Sequence, residues 1–208
     1  MVGVMASVPR AAEEQPGDGS QEATLNMQLI KTGLFLISGD GANSLLRLSP
    51  YGEILVNGKR SGNYTALMSQ VRTISRITDM PVQVVIITNH YEDRSGTNAK
   101  FLAAGAQSIA QEIVASHLAA DHPPTGQISP PTITYENDYA LRLGGVEVQF
   151  KHFGNARTDG DTVVYLPNLR VVVIGDLFTP DTPDPDFSAG GSLVDWGPGA
   201  RPNSEAGF

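Results

Sequence analysis

Short apolar segments separated by Gly, Pro and Asn open the patterned part of the chain. They are rich in Leu and Ile, which is typical of antiparallel strands joined by tight turns. They read MQLIKTGLFLISG, NSLLRLS and EILVNG and lie between residues 27 and 58. The spacing then changes, because Leu67, Val71, Ile74 and Ile77 recur every three or four residues. This spacing predicts one apolar face of a helix, so we expect a β-meander followed by a helix.

The middle of the chain predicts a buried strand and a divided helical segment. The run PVQVVIIT is almost continuously apolar and β-branched, which indicates a strand covered on both faces. The next apolar segment, residues 97–118, is rich in Ala and has a helical pattern, although we expect Gly105 to divide it. The stretch AQSIAQ after that glycine is a candidate short strand.

The second half predicts more strands and then an irregular end. Residues 121–132 contain four prolines and indicate a surface connection. Strands resume with YALRLGGVEVQFKHF, in which LGG predicts a hairpin turn, and turn-forming residues dominate after Phe178. We therefore expect a flexible leader over 1–24, one domain over 25–196 and a disordered tail over 197–208, with no further helix or strand after Phe178.

Charge and composition exclude several classes of protein. The chain of 208 residues has a net charge of −8 from 14 basic and 22 acidic residues, and much of the excess lies near its two ends. We expect no nucleic-acid surface, which would need clustered Lys and Arg. The chain has no cysteine, which excludes disulfides and thiolate metal sites. No apolar run approaches the ~20 residues of a membrane span, so we expect no membrane partner.

Three motifs then appear in a specific order. The loop TNHYEDRSGTN follows the buried strand, GNARTDGD comes later, and the strand after it ends in GDLF. In the order of these motifs and in their residues, the chain resembles the metallo-β-lactamase-fold hydrolases over residues 25–196. The resemblance implies an α/β fold, an αββα sandwich of two mixed β-sheets flanked by helices. It also implies truncation at the C-terminus, because the last ligand histidine of the family has no counterpart here.

The resemblance places the family's metal ligands on residues of other types. The corresponding positions in this chain are Asn89, Tyr91, Asp93, Arg94, Arg157 and Asp176, and a further family aspartate near the site corresponds to Asn57. Relatives bind zinc, and a catalytic zinc needs about three protein ligands and an open position. We therefore expect no metal cofactor, with Asp93, Asp176 and His90 as weak candidate ligands. His90 lies one residue from an expected ligand, and a shift of one residue reverses side-chain direction in extended backbone.

The two arginines suggest what replaces the metal. Arg94 and Arg157 would place permanent cations near Asp93 and Asp176, so we expect Arg–Asp pairing at this position. The alternative is that both arginines extend into solvent and leave a wet cavity. Simpler roles are expected for other residues. We expect His117 and His122 to be solvated, His152 not to bind metal, Asp159 and Asp161 to form a strand-entry turn, and GDGAN at 39–43 to be a turn.

These observations favour a metallo-β-lactamase-like protein that is not an active metal-dependent hydrolase. We expect it to bind a small anionic ligand or a protein partner at the edge of the family's active site. The alternative is a hydrolase that retains weak activity, with one metal or by metal-free acid–base chemistry. A gene fragment is the third interpretation. We also expect the irregular C-terminal part to leave apolar surface uncovered, which usually marks a partner site or an aggregation-prone surface.

Overall fold

The computed structural model describes residues 24–120, 129–178 and 184–199. Seven strands form the first sheet, and their spatial order is their order along the chain. They are β1 (Asn26–Lys31), β2 (Leu34–Ser38), β3 (Ser44–Arg47), β4 (Glu53–Val56), β5 (Val82–Ile87), β6 (Gln107–Gln111) and β7 (Ile133–Tyr135). The first four pair as an antiparallel meander and the last four pair in parallel, so the sheet is mixed.

Helices connect the parallel strands, as a crossover between parallel neighbours requires. The described α-helices are α1 (Tyr64–Ile74), α2 (Glu92–Ser95), α3 (Asn98–Ala103), α4 (Glu112–Ala120) and α5 (Leu193–Gly199). Helix α1 buries Leu67, Met68 and Val71 against the first sheet. It ends at Ile74, three residues before Ile77, the last residue of the predicted apolar face.

The second sheet is smaller and its described strands are all antiparallel. It contains β8 (Asp138–Leu143), β9 (Val146–Lys151), β10 (Val163–Leu166) and β11 (Val171–Val173), in the spatial order β11-β10-β9-β8. The hairpin between β8 and β9 turns at Gly144 and Gly145, which both have positive φ. The predicted LGG turn is therefore confirmed.

Two apolar clusters hold these layers together. One lies between the first sheet and helices α1, α3 and α4, and includes Leu67, Val85 and Phe101. The other lies between the two sheets and includes Ile86 and Phe150. Five of the six residues of β5 are buried, because this central strand contributes to both clusters. The predicted sandwich of two sheets with helices is confirmed, although only the first sheet is mixed.

Several local predictions have clear outcomes. The strand predicted in AQSIAQ is β6, and Gly105, with a φ of 94°, separates it from α3. The expectation of no helix after Phe178 is wrong, because α5 runs to Gly199, and it reaches into the range 197–208 predicted as a tail. The remaining tail, the leader up to residue 23 and residues 121–128 lie outside the described residues. Of the described helices, none has the length and hydropathy to cross a membrane.

Candidate functional site

The candidate site lies where β5 ends and its chain turns into α2. The end of β5 is tied to β4 by Asn57, whose Oδ1 accepts hydrogen bonds from the Thr88 amide at 3.0 Å and hydroxyl at 2.9 Å. Asn57 is buried and adopts a left-handed backbone with a φ of 61°, a conformation that Asn tolerates better than most residues. In this structure, Asn57 therefore positions the loop.

Arg94 lies at the centre of the site. Its guanidinium donates from Nη1 to Asp93 Oδ1 and from Nη2 to Asp176 Oδ1, and its side chain is only 11% exposed. The Arg94 Cζ atom also lies 5.6 Å from the centroid of the Tyr91 ring, within the range of a cation–π contact. One part-buried cation thus joins a carboxylate of α2 to a carboxylate that follows β11. The predicted Arg–Asp pairing is present for Arg94.

Asn89 links two carboxylates on the other side of Asp176. Its Nδ2 donates to Asp176 Oδ2 at 3.0 Å and approaches Asp161 Oδ1 at 3.4 Å. Its Oδ1 accepts from the Tyr91 amide at 3.3 Å, so the amide group is used at both ends. Asn89 is almost fully buried. The side chain therefore connects Asp161, Asp176 and the loop into one network.

Asp161 belongs to this network as well as to a turn. The backbone amide of Thr158 donates to Asp161 Oδ2 at 2.6 Å, which is the predicted turn interaction. Burial raises the pKa of Asp161 to about 6, and the nearby charge of Asp176 acts in the same direction. The purely structural role predicted for Asp161 is therefore incomplete, because its second oxygen faces Asn89.

Arg157 has different partners from those predicted. Its Nη1 donates to the backbone oxygen of Asp184 and to Asp184 Oδ2, the latter at 2.8 Å. Asp184 is largely exposed, so this pair is at the surface. Among the described contacts, no ion pair joins Arg157 to Asp93 or Asp176. The prediction that both arginines neutralise those two carboxylates is wrong for Arg157, because the segment after residue 183 supplies a nearer carboxylate.

Tyr91 lies between the two arginines and contacts the same late segment. Its hydroxyl donates to Asp186 Oδ2 at 2.8 Å. Burial raises the pKa of Tyr91, and the hydrogen bond to Asp186 adds to the effect. Hydrogen bonds from Ser188 and Tyr91 lower the pKa of Asp186 to about 2. Sequence reasoning missed Asp186, and only its place in the turn-forming sequence DPDFS could have indicated a structured loop.

The histidines form a separate group beside the site. The rings of His90 and His117 stack with centroids 4.4 Å apart, and His117 Nε2 lies 2.9 Å from Asp159 Oδ1. The prediction that His117 is simply solvated is therefore wrong. His152 Nδ1 lies 3.0 Å from the backbone oxygen of Asp161. His122 lies outside the described residues.

Lys59 is a buried cation that sequence reasoning also missed. Its Nζ donates to the backbone oxygens of Ile37, Gly39 and Ala42, and the residue has no exposed surface. Burial lowers its pKa to about 8. These bonds tie the predicted 39–43 turn to Lys59. At Gly41 in that turn, an added Cβ would lie 2.7 Å from the Asp93 Cβ, so a larger residue would not fit.

The donor set at this edge does not fit a zinc ion. Among residues 24–120, 129–178 and 184–199, no three His, Cys, Asp or Glu side chains are placed to hold a metal. The space between Asp93 and Asp176 contains the Arg94 guanidinium, and His90 packs on His117. A zinc site needs about three such ligands with no cation among them.

Curated relatives match this chain over about half of its length, and no family model matches. The chain is 29% identical over 112 residues to a metallo-beta-lactamase type 2 of Elizabethkingia meningoseptica, covering 53% of this chain and 43% of that protein. It is 31% identical over 111 residues to the 2,4-dinitroanisole O-demethylase subunit alpha of Nocardioides sp. (strain JS1661), covering 51% and 33%. The matches thus span less than half the length of these two relatives.

Solved structures resemble the chain over more of its length. A metallo-beta-lactamase from Pontibacter korlensis superposes with a TM-score of 0.72 at 18% identity, covering 85% of this chain and 83% of that one. The metallo-beta-lactamase DIM-1 gives a TM-score of 0.70 at 17% identity, covering 86% and 83%. IND-7 gives 0.67 at 20% identity, covering 86% and 82%. At these identities the likeness concerns the fold.

Proposed function

Because the chain has the metallo-β-lactamase fold, we propose that it is a protein of this fold that has lost metal-dependent hydrolysis and acts by binding a partner. The observation that carries the proposal is the position of Arg94, whose guanidinium bridges Asp93 and Asp176. These are the two acidic residues that the resemblance aligns with metal ligands. A cation of the protein itself occupies the space between them.

The electrostatics of this contact support the loss of zinc. Asp93 and Asp176 are both partly withdrawn from water, where a carboxylate without a counter-charge is disfavoured, and Arg94 compensates both at once. A zinc ion entering here would have to displace the guanidinium and would gain too few ligands. The same contacts disfavour the alternative of a weak or single-metal hydrolase that uses Asp93, Asp176 and His90.

The charge balance also favours a partner over a small anion. Arg94 and Arg157 are the two cations that a small anion would need, and both already contact carboxylates. Binding an anion would mean breaking these pairs. A protein partner can instead use the surface around the site without displacing them.

Zinc content and zinc-dependent hydrolysis test the loss of metal chemistry. The protein purified without a chelator should contain zinc far below one equivalent, as measured by elemental analysis. It should also show no zinc-dependent hydrolysis of β-lactam, ester or thioester probes. The zinc content is compared with that of the combined variant Asn89→His, Tyr91→His, Arg94→His and Arg157→His. Near-stoichiometric zinc in the unaltered protein, or hydrolysis that a chelator removes and zinc restores, would contradict the proposal.

A further inference from the structure

Apolar side chains are exposed along the segment that borders the Tyr91 and Arg157 side of the site. Phe187 is 72% exposed, Val194 is 83% exposed, and Leu193 and Phe178 are exposed by 54% and 40%. These four side chains are called the α5 patch below. Exposed apolar side chains that lie together usually mark an interaction surface.

Hydrogen bonds bring the members of the α5 patch together. The Gly191 amide donates to the Asp186 oxygen at 2.8 Å, which closes the chain between Phe187 and the start of α5. Trp196 Nε1 donates to the Leu177 oxygen at 3.2 Å, which holds α5 beside the residue before Phe178. The backbone segments that carry these four exposed side chains are therefore close together in the fold.

The α5 patch is also fixed to the rest of the protein. Asp186 accepts from the Ser188 and Ala189 amides and from the Tyr91 hydroxyl. The Ser192 amide donates to the Ala156 oxygen at 3.0 Å. The side chain of Trp196, a residue of α5, is buried. The exposed apolar side chains thus lie on a supported backbone, next to the candidate site.

The charged residues of the segment that carries the α5 patch are all acidic. Asp184 and Asp195 are exposed, and Asp186 is half-buried. No Lys or Arg occurs from residue 171 to residue 200, and the nearby Arg157 is already paired with Asp184. A surface of this kind complements a segment that presents apolar side chains between Lys or Arg residues. It repels nucleic acid, an anionic membrane and a second copy of this chain, whose net charge is −8.

We propose that the α5 patch docks a basic amphipathic segment of another protein. This inference rests on the proposed binding function and names the chemistry of the partner. Apolar side chains of the segment cover Phe187, Leu193 and Val194, and its Lys or Arg residues face Asp195, which is exposed. The contact lies beside the Arg94 cluster and leaves its ion pairs in place.

A synthetic helical peptide with Leu on one face and Lys on the other is the probe. Binding is followed by the anisotropy of labelled peptide and by the fluorescence of Trp196, which is the single tryptophan of the chain and lies under the patch. A peptide with Glu in place of Lys tests the charge requirement. Circular dichroism checks that each variant below is folded.

Two pairs of variants test the location. Phe187→Ser with Val194→Ser, and separately Asp195→Lys, should each weaken binding of the Leu/Lys peptide about tenfold or more, equivalent to about 1.4 kcal/mol. The matched controls, Tyr51→Ser and Asp79→Lys, change exposed residues elsewhere and should leave binding unchanged. The Leu/Glu peptide should not bind.

Other results would overturn the inference. Equal binding by the Phe187/Val194 variant and the unaltered protein would place the contact elsewhere. If the control variants lost as much peptide affinity as the patch variants, the binding would not be specific to the α5 patch. If the Leu/Glu peptide bound as tightly as the Leu/Lys peptide, the binding would not depend on charge. Absence of any peptide binding would refute the docking surface, while the zinc measurements would still decide the loss of metal chemistry separately.

Discussion

Arg94 and Arg157 both stand at positions that the sequence resemblance predicts to be metal ligands in relatives, but the structure gives them different environments. Arg94 is largely shielded from solvent and shared between Asp93 and Asp176, whereas Arg157 is more exposed and pairs with Asp184 at the surface. Opposite charges taken out of water depend strongly on each other, while exposed pairs contribute little. Two arginines that look equivalent in sequence therefore have unequal structural importance.

One carboxylate in each of the two regions has a shifted pKa, and the two shifts have opposite directions. In the Arg94 region, burial raises the pKa of Asp161 to about 6. In the Arg157 region, hydrogen bonds from Ser188 and Tyr91 lower the pKa of Asp186 to about 2. The protein therefore disfavours the charged form of Asp161 and favours the charged form of Asp186. The two regions should therefore respond to pH in opposite directions.

The largest expected effect comes from restoring histidines in both regions together. Asn89→His, Tyr91→His, Arg94→His and Arg157→His should turn a protein with little zinc into one that binds about one equivalent, because tetrahedral coordination needs several ligands at once. Isothermal titration with zinc measures the gain. Each single substitution should add little. If the folded quadruple variant takes up no more zinc than its parent, the loop geometry differs from that of the family.

Removing Arg94 should have the next largest effect. Arg94→Ala leaves the part-buried Asp93 and Asp176 without their common counter-charge, so the loss should exceed the ~1 kcal/mol of an exposed pair and stay below the ~3 to 5 kcal/mol of a fully buried one. Urea unfolding measures the free energy of unfolding. Arg94→Lys should recover only part of the loss, because an ammonium group cannot form the two-pronged contact. A loss below about 1 kcal/mol for Arg94→Ala would mean that water already compensates the two carboxylates.

The pH dependence of stability should separate Asp161 from Asp186. Asp161 has a folded pKa of about 6, above the ~3.9 of an unfolded Asp, so the folded state binds more protons between these values. Its contribution to stability is present below about pH 4 and is lost as the pH rises through 6, by at most about 3 kcal/mol. Asp186 has a lowered pKa, so its contribution is present above about pH 4 and is lost as the pH falls toward 2.

Urea unfolding of Asp161→Asn and Asp186→Asn across this pH range checks the signs. Between pH 4 and 7, the unaltered protein should lose stability relative to Asp161→Asn. Below pH 4, it should lose stability relative to Asp186→Asn. Curves that stay parallel to that of the unaltered protein would show that these carboxylates have ordinary pKa values.

The smallest effect is expected at the exposed arginine. Arg157→Ala should reduce the free energy of unfolding by about 1 kcal/mol or less, because its partner Asp184 is largely exposed. Urea unfolding beside Arg142→Ala gives a matched comparison, since Arg142 also forms an exposed pair, with Glu147. A loss as large as that of Arg94→Ala would remove the distinction between the two regions.

The sequence was sufficient to predict much of the fold. The apolar run of β5, the hairpin turn between β8 and β9 and the strand after Gly105 follow from local patterns, because period and turn residues reflect short-range backbone preferences. Helix α5 was missed for the same reason. Its sequence LVDWGPG contains helix-disfavouring residues, and Trp196 is held by a contact with Leu177, far away in the sequence.

The sequence by itself also determined which residues the resemblance places at the expected ligand positions, namely Asn89, Tyr91, Arg94 and Arg157. Only the tertiary structure decided which carboxylate each cation meets. Asp176 is 82 residues from Arg94, and Asp186 is 95 residues from Tyr91. Hydrogen bonds and ion pairs form over a few ångströms, so partners on distant segments are chosen by how the sheets and loops pack.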